Sequence, residues 1–324
     1  MICHSDIKRI NEMNKWGIYS FLCVIICISF GLITLENAKA AADNDQIPHE
    51  YGISTKRILI SQFDETINGG KSVCIIPEES IDGCFYRWYR CENIHKQNPQ
   101  MIIETDTKQF ETGMFLYPEI RYYYYEVAET EIDMSPSIIS DLFIVAYTGL
   151  PTVNIDCDVL EIDRENWLEA TMRIIPGVQY KESYVGEIQL RGRGNSSWDI
   201  SEKKSYTLKL SRKKSLFELG SGKKYVLHGD YSDKSLMRNW LASYCAKNVF
   251  ASKEWVPSYV HVDLVVNGEY QGVYTISEQI RIGDDRVNIL SIEDALQNGI
   301  VQGGFIIEAD HKKKEREIGF TSIV

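Results

Sequence analysis

The stretch that decides the fold is RGRGNSSWDISEKKSYTLKL, which runs from Arg191 to Leu210. It contains two glycines in a G-x-G spacing, Gly192 and Gly194. Apolar and polar residues alternate on both sides of this glycine run, in VGEIQLRG at 185–192 and in KSYTLKLS at 204–211, and this alternation is typical of strands. The glycine run therefore links a strand to a strand. A P-loop or a Rossmann turn leads from a strand into a helix that holds phosphate, so neither motif fits.

Two interpretations of the glycine run stay open. Glycine turns between strands are common, which favours a plain hairpin turn. A strand, a glycine loop, a strand and then a lysine is also the layout of the small lobe of protein kinases. In that case Gly192 and Gly194 would let the backbone approach phosphate closely, and Arg193 and Lys209 would supply positive charge.

The residues that follow predict a helix and then a hairpin. Ser232 or Asp233 is suited to cap a helix, whose apolar residues recur at helical spacing: Leu236, Trp240, Leu241, Tyr244, Cys245 and Val249. Further on, Asn267-Gly268 between two alternating segments predicts a type I′ hairpin. Two strands, a helix and an antiparallel hairpin together indicate an α+β domain.

An earlier region, residues 55–148, contains several short strand patterns separated by turn signals. Trp88 lies in one strand, and the four tyrosines 122–125 lie in a later one, as in the core of an Ig-like β-sandwich. An alternative is that these aromatic residues form an exposed face that binds a cell-surface glycan. TGLPTVNID after this region is typical of a linker, since Pro151 cannot continue a central strand.

Composition and the N-terminus indicate the compartment. The chain has 324 residues and a formal net charge of −11, which argues against a nucleic-acid partner. Residues 1–40 have the layout of a signal peptide: basic residues, the apolar run 16–35, and Ala38-Lys39-Ala40 as a cleavage site. We expect a secreted or cell-surface protein. The alternative is an uncleaved leader that would anchor the chain in a membrane.

The cysteines beyond the leader do not have the spacing of a metal site. They are Cys74, Cys84, Cys91, Cys157 and Cys245, and no C-x-x-C occurs. We therefore predict no metal cluster. Either one disulfide forms among the first three, or all are free thiols.

Five blocks in a fixed order carry a resemblance to a known family. They are RGRGNSSW, KKSYTLKL, DYSDKSLMRNWLA, NGEYQGVYTISEQI and GGFIIEAD, spread over residues 190–310. In this order they resemble the CotH family, the spore-coat protein H kinases. The preceding region also resembles an Ig-like module found before this domain in secreted bacterial members. The resemblance implies an atypical kinase fold, ATP with a divalent metal such as Mg²⁺, and phosphorylation of Ser or Thr on secreted or surface proteins.

The resemblance also implies roles for particular residues. Arg191, Arg193 and Asn195 would shape the phosphate loop. Either Lys204 or Lys209 would contact the nucleotide. Asp233 and Arg238 would open the helix, and Glu278 would lie near the adenine side. Each of these residues has a plain structural alternative, a salt bridge that braces a loop.

One departure from the family pattern bears on catalysis. The blocks that carry the family's catalytic and metal-binding aspartates, N-x-D with Y-x-Y and then W-D-F-D, do not occur in this sequence. The catalytic residues are therefore unknown, and whether this chain is an enzyme stays open. The predicted fold is α+β: an Ig-like β-sandwich over 55–148, then an atypical kinase-like small lobe over 150–324 that is C-terminally truncated.

Three functions are compatible with these patterns. The first is a CotH-type kinase whose catalytic half lies outside this sequence. The second is a non-catalytic surface-binding or adhesion protein that uses the Ig-like module. The third is a structural protein associated with a coat.

Overall fold

A computed structural model describes residues 58–77, 83–128, 138–158, 162–250 and 255–300, together with Gly304 and Ile306. The predicted leader over 1–40 and the end of the predicted kinase-like region lie outside the described residues. Within this part, none of the helices has the length and apolar character needed to cross a bilayer.

The described residues form mainly β-structure. The strands, numbered β1 to β17 in chain order, are Ile58–Ile60, Phe63–Asp64, Gly69–Gly70, Cys74–Ile75, Phe85–Cys91, Gln100–Thr105, Phe110–Glu111, Glu119–Ala128, Ile138–Ile139, Phe143–Tyr147, Thr152–Cys157, Leu168–Ile175, Tyr184–Arg193, Ser205–Leu216, Leu219–His228, Tyr259–Val266 and Glu269–Glu278. The α-helices are α1 (Ser196–Ile200), α2 (Arg238–Tyr244) and α3 (Ile292–Gln297), and α2 continues into a π-helical turn at Cys245–Val249.

The first strands form one main sheet with the order β1-β10-β8-β5-β6, and β9 pairs with β8. Two short two-stranded sheets, β2-β3 and β4-β7, accompany it. Side chains from both, Phe63, Ile75 and Phe110, pack into one core with the main sheet. Trp88 on β5 is completely buried there and stacks on Phe110, with 5.0 Å between ring centroids. The arrangement is thus one large sheet covered by short ribbons.

The four consecutive tyrosines lie on β8 and point alternately to the two faces of this sheet. Tyr123 and Tyr125 belong to the core around Trp88, whereas Tyr124 packs on the opposite face with Tyr122 beside it. Tyr123, Tyr124 and Tyr125 are buried. This strand therefore uses its aromatic residues for packing and presents no aromatic platform to solvent.

The strands that follow close into a seven-stranded barrel with the order β11-β12-β13-β14-β15-β17-β16. Neighbouring strands are antiparallel except at the closure, where β11 and β16 pair in parallel, with Thr152 opposite Asp263. The interior is filled by alternate apolar side chains, including Leu190, Leu208 and Leu264, which are fully buried. Their polar neighbours along the same strands consequently face outward.

The predicted α+β fold with a kinase-like small lobe is wrong, because the structure is mostly β and contains this closed barrel. The physical reason lies upstream of the glycine stretch. The sequence predicts a linker at TGLPTVNID, but from Thr152 onward these residues belong to β11, and β12 follows it. Pro151 stands just before β11, a position where its missing N–H is tolerated. β12 pairs with β13, and β11 pairs with β16. β13 and β16 would otherwise be the edge strands of an open sheet.

The hairpin prediction is confirmed. Asn267 and Gly268 have φ angles of 50° and 79°, as a type I′ turn requires, and they join β16 to β17. The helix prediction holds only in part, since α2 is seven residues long. Its predicted apolar stripe is not buried: Leu241 and Tyr244 are about half exposed, and Val249 is 63% exposed.

The cysteines are free thiols in the described residues. A disulfide among Cys74, Cys84 and Cys91 is therefore not formed.

Candidate functional site

We call residues 191–200 the glycine stretch. They include the end of β13 and continue through α1 toward the start of β14. The N–H of Gly192 donates to the carbonyl oxygen of Asp163 at 2.6 Å. A Cβ atom at Gly192 would lie 2.4 Å from the Trp198 indole, so a larger residue does not fit. Gly194 has φ +122°, in the region that favours glycine. Both glycines are thus explained by the packing and backbone of the loop itself.

Lys204 braces this loop from within. Its Nζ donates to the carbonyl oxygen of Trp198 at 2.6 Å and lies 5.3 Å from the centre of the indole. Trp198 is partly buried against the barrel core and makes an edge contact with Tyr206. Lys204, one of the two candidate lysines for the nucleotide, therefore has a structural role: it holds the loop at Trp198.

Lys209 lies elsewhere, on the outward face of the barrel. In the strand register it stands between Gln189 and Lys224, and its Nζ donates to Gln189 Oε1 at 2.9 Å. Three cations surround the indole of Trp167: the Arg191 guanidinium at 4.6 Å, Lys209 at 5.7 Å and Lys224 at 5.8 Å. We call Arg191, Lys209, Lys224 and Trp167 the cationic face.

The three cations of the cationic face have no direct carboxylate partner in the part of the chain that the structure describes. The buried Nε of Arg191 also lacks a hydrogen-bond partner there. Like charges held around one ring repel each other, and an anion would relieve that repulsion. A depression of about 280 Å³ borders this face at Lys209, and its lining includes Lys223 and also the carboxylates Glu169 and Glu187.

Two members of the cationic face were missed by sequence reasoning. Trp167 precedes β12, in a segment that carries no strand or motif signal of its own. Lys224 follows another lysine in GKKYV, and only the strand register shows that it points to the same side as Lys209. Tyr225 and Leu227 point into the barrel core, so alternation along β15 places Lys224 on the outward side.

A polar cluster lies next to the glycine stretch, at the ends of β15 and β17. His228 Nε2 and Ser277 Oγ are 2.8 Å apart, and Asp230 accepts hydrogen bonds from Thr275 Oγ1 at 2.5 Å and Asn239 Nδ2 at 2.9 Å. Burial lowers the pKa of His228 to about 4; Asp230 opposes this shift, and the positive charge of Arg193 adds to it. His228 is consequently neutral at pH 7. Arg193 is an exposed, predicted site residue at the end of β13, and its charge acts on His228.

Asn195 and Glu278 take other positions. Asn195 is exposed, and its carbonyl oxygen accepts from Trp198 N at 3.0 Å. Glu278 is buried, accepts from Ser258 N at 2.6 Å and lies 4.0 Å from Arg286. Its register partner is Tyr225, so Glu278 points to the interior side of the sheet, opposite the cationic face.

Asp233 and Arg238 hold the start of α2. The Asp233 carboxylate accepts from the backbone N–H of Arg238 at 2.8 Å, and the two side chains form a salt bridge at 3.5 Å. The pKa of Asp233 is lowered because its hydrogen bonds to Arg238 N and Ser235 outweigh its partial burial. The N-cap residue of α2 is Met237, not the predicted Ser232 or Asp233, and Asp233 contributes by accepting from the first N–H of the helix.

The comparison with protein families agrees with the sequence resemblance. Residues 190–317 match the family model described as CotH kinase protein. This range is therefore similar to the CotH family, and the match supports the resemblance that the sequence blocks indicate. A comparison with curated proteins found no match.

A kinase-like family implies the use of ATP and Mg²⁺ in general terms. For ATP the residues fit, because the cationic face offers unpaired positive charge and an unsatisfied donor at Arg191. For a metal they do not fit: the described part of the chain contains no group of three or more His, Cys, Asp or Glu side chains that could hold one. We therefore derive no step through Mg²⁺.

Proposed function

We propose that this chain provides the nucleotide-binding part of a CotH-type protein kinase. The observation that carries the proposal is the cationic face, which sits in an otherwise acidic chain of net charge −11. Cations gathered without carboxylate partners match the charge of a polyphosphate. ATP is the phosphate ligand that a kinase-like family uses.

The residues divide the binding task between them. Arg191, Lys209 and Lys224 would contact phosphate oxygens, Arg191 as a planar fork and the lysines as point charges. Arg193 lies within the glycine stretch, between Gly192 and Gly194, and would extend the positive field along it. The ATP would supply the transferable phosphoryl group when bound.

The finer parts of the function follow from the family and from the leader. We propose that the acceptor is a Ser or Thr hydroxyl on a secreted or surface protein. Export is supported by the apolar run 16–35 and by Ala38-Lys39-Ala40. N-terminal sequencing of exported protein should start at or near Ala41, and an intact leader in the membrane fraction would contradict cleavage.

Calorimetric titration with ATP tests the nucleotide proposal on the whole chain. A charged contact to phosphate is worth about 1.5–3 kcal/mol, so Lys209→Ala and Lys224→Ala should each weaken binding by about tenfold or more. Lys71→Ala, an exposed lysine of the first region, is the matched control and should bind like the unchanged chain. Absence of ATP binding by a folded chain would overturn the proposal, and so would equal affinity in all four proteins.

A second candidate, a non-catalytic binding protein, has one observation in its favour. Strand β6 forms the end of the first sheet, and Met101, Ile102 and Ile103 on it are each about half exposed. An apolar edge strand is a surface to which another strand can add. Binding of a surface protein that survives loss of ATP binding would favour this function.

A further inference from the structure

The glycine stretch is held by a short segment that lies before the family-matched residues. This segment, residues 162–167, connects to β12 and runs beside the end of β13. We call it the loop clamp. Three of its residues touch the glycine stretch, each through a different kind of contact.

The first contact is from backbone to backbone. The carbonyl oxygen of Asp163 accepts from Gly192 N at 2.6 Å. The Asp163 carboxylate meanwhile fixes the turn of the clamp, since it accepts from the N–H groups of Glu165 and Asn166, both at 2.7 Å. These hydrogen bonds, with that from the Asn166 side chain, lower the pKa of Asp163. The clamp is therefore a defined turn that presents one carbonyl to the loop.

The second contact is a fork of Arg164. Its Nη1 donates to the carbonyl oxygen of Gly194 at 3.1 Å and lies 3.5 Å from that of Asn195. Its Nη2 forms a salt bridge of 3.3 Å with the Asp199 carboxylate on α1. One guanidinium thus bridges the middle of the loop and the helix that ends it.

The Arg164 contact also sets the direction of a peptide group. In a planar trans peptide the C=O and the N–H point in opposite directions. Because the Gly194 carbonyl points to Arg164, the N–H of Asn195 points away from the clamp. The third contact, Arg191 stacked on Trp167 at 4.6 Å, places the end of β13 on the same clamp.

We propose that the loop clamp positions the glycine stretch for its anionic ligand, with Arg164 as the main positioning residue. This inference rests on the proposed nucleotide binding for its ligand but not for its structural part. It implies that residues before the matched range 190–317 belong to the site. A chain cut at the start of the matched range would lose the clamp together with β12.

Hydrogen exchange and ATP titration on the whole chain test the clamp. In Arg164→Ala, we expect amide exchange over residues 192–200 to accelerate by about tenfold or more, since charged hydrogen bonds are lost. The affinity for ATP should fall by a similar factor. Arg164→Lys retains the charge without the fork, so it should recover part of both effects.

The matched control is Arg173→Ala, which removes an exposed arginine of β12 outside the clamp. Its exchange over 192–200 and its ATP affinity should stay unchanged. Exchange that is equally slow in Arg164→Ala and in the unchanged chain would overturn the clamp. If the unchanged chain binds no ATP, the proposed function fails, and the exchange rates over 192–200 still decide whether the clamp holds the loop.

Discussion

At the scale of the residue, Asp263 is an acidic side chain buried in the barrel. It lies on β16, completely buried, and accepts hydrogen bonds from Thr148 Oγ1 and from Tyr270 OH, the latter at 2.7 Å. Burial raises the pKa of Asp263 from 3.8 to about 7, although these hydrogen bonds and the charge of Lys203 oppose the shift. Thr148 follows the last strand of the first sheet, so this carboxyl links the sheet to the barrel.

The raised pKa predicts a specific dependence of stability on pH. The folded chain holds the Asp263 proton up to about pH 7, whereas the unfolded chain releases it near its ordinary value of 3.8. The stabilisation is complete below the unfolded value and is lost as pH rises through about 7. Between these values the free energy of unfolding should fall by about 1.4 kcal/mol per pH unit from this group.

Denaturant unfolding at pH 5, 6 and 7 measures this slope. Asp263→Asn keeps the shape of the side chain and removes its titration. The free energy of unfolding of the variant should therefore fall less steeply with pH, by about 1.4 kcal/mol per pH unit. Parallel pH profiles for the two proteins would show that folding does not raise the pKa of Asp263.

Trp88 provides a second prediction at this scale. Its side chain is fully buried between Phe110 and Tyr125, with ring centroids 5.0 Å from each. Trp88→Ala should therefore lower the free energy of unfolding by about 3–5 kcal/mol. Tyr117→Ala is the control, because Tyr117 is 64% exposed. Equal denaturation midpoints for the two variants would contradict the packing described for this core.

At the scale of the element, the glycine stretch is a packed loop with little spare room. Gly192→Ala would put a Cβ atom 2.4 Å from the Trp198 ring and 2.7 Å from the Asp163 carbonyl oxygen. Overpacking of this kind costs about 1–3 kcal/mol. We expect a lower thermal midpoint and altered tryptophan fluorescence, since Trp198 must move.

The control for this change is Gly283→Ala. Gly283 has no atom within 4 Å of an added Cβ, and its φ is not in the left-handed region. Its thermal midpoint and fluorescence should match those of the unchanged chain. If Gly192→Ala behaves in the same way, Trp198 does not pack on this glycine.

The elements that sequence predicts well are those set by neighbouring residues. Asn267-Gly268 specifies its own turn, and the alternation in YVHVDLVV specifies the strand before it. Parallel closure of β11 on β16 joins residues more than a hundred positions apart, and no local pattern encodes it. The exposure of the apolar residues of α2 was not predicted for a similar reason. Periodicity in the sequence indicates an apolar helix face, but it does not show which element covers that face.

The candidate site also contains residues that the sequence predicts and residues that only the fold brings together. Arg191 and Lys209 were found because they flank a recognisable glycine motif, and the strand register then places them on one face. Lys204 and Glu278 make structural hydrogen bonds that their sequence positions do not indicate. Arg164 and Trp167 carry no motif, and they reach the loop only because β12 pairs with β13.

At the scale of the whole molecule, the barrel extends beyond the family match. The matched range begins at residue 190, within β13, whereas β11 and β12 lie before it. These two strands bury Val153, Ile155, Met172 and Ile174, and each of these side chains is at most 2% exposed. Without them the barrel would be an open sheet with β13 and β16 as its edges.

Two shortened chains test this dependence. A chain beginning at Thr148 keeps β11, β12 and the hydrogen bond from Thr148 to Asp263, so we expect it to unfold cooperatively. A chain beginning at Tyr184 loses both strands, exposes the partners of the four buried side chains and creates two unprotected edges, which favour aggregation. We expect it to lack near-UV circular dichroism and to elute as aggregates in size-exclusion chromatography. If the chain from Tyr184 remains monomeric and unfolds at the same midpoint as the chain from Thr148, barrel closure does not contribute to the stability of the matched domain.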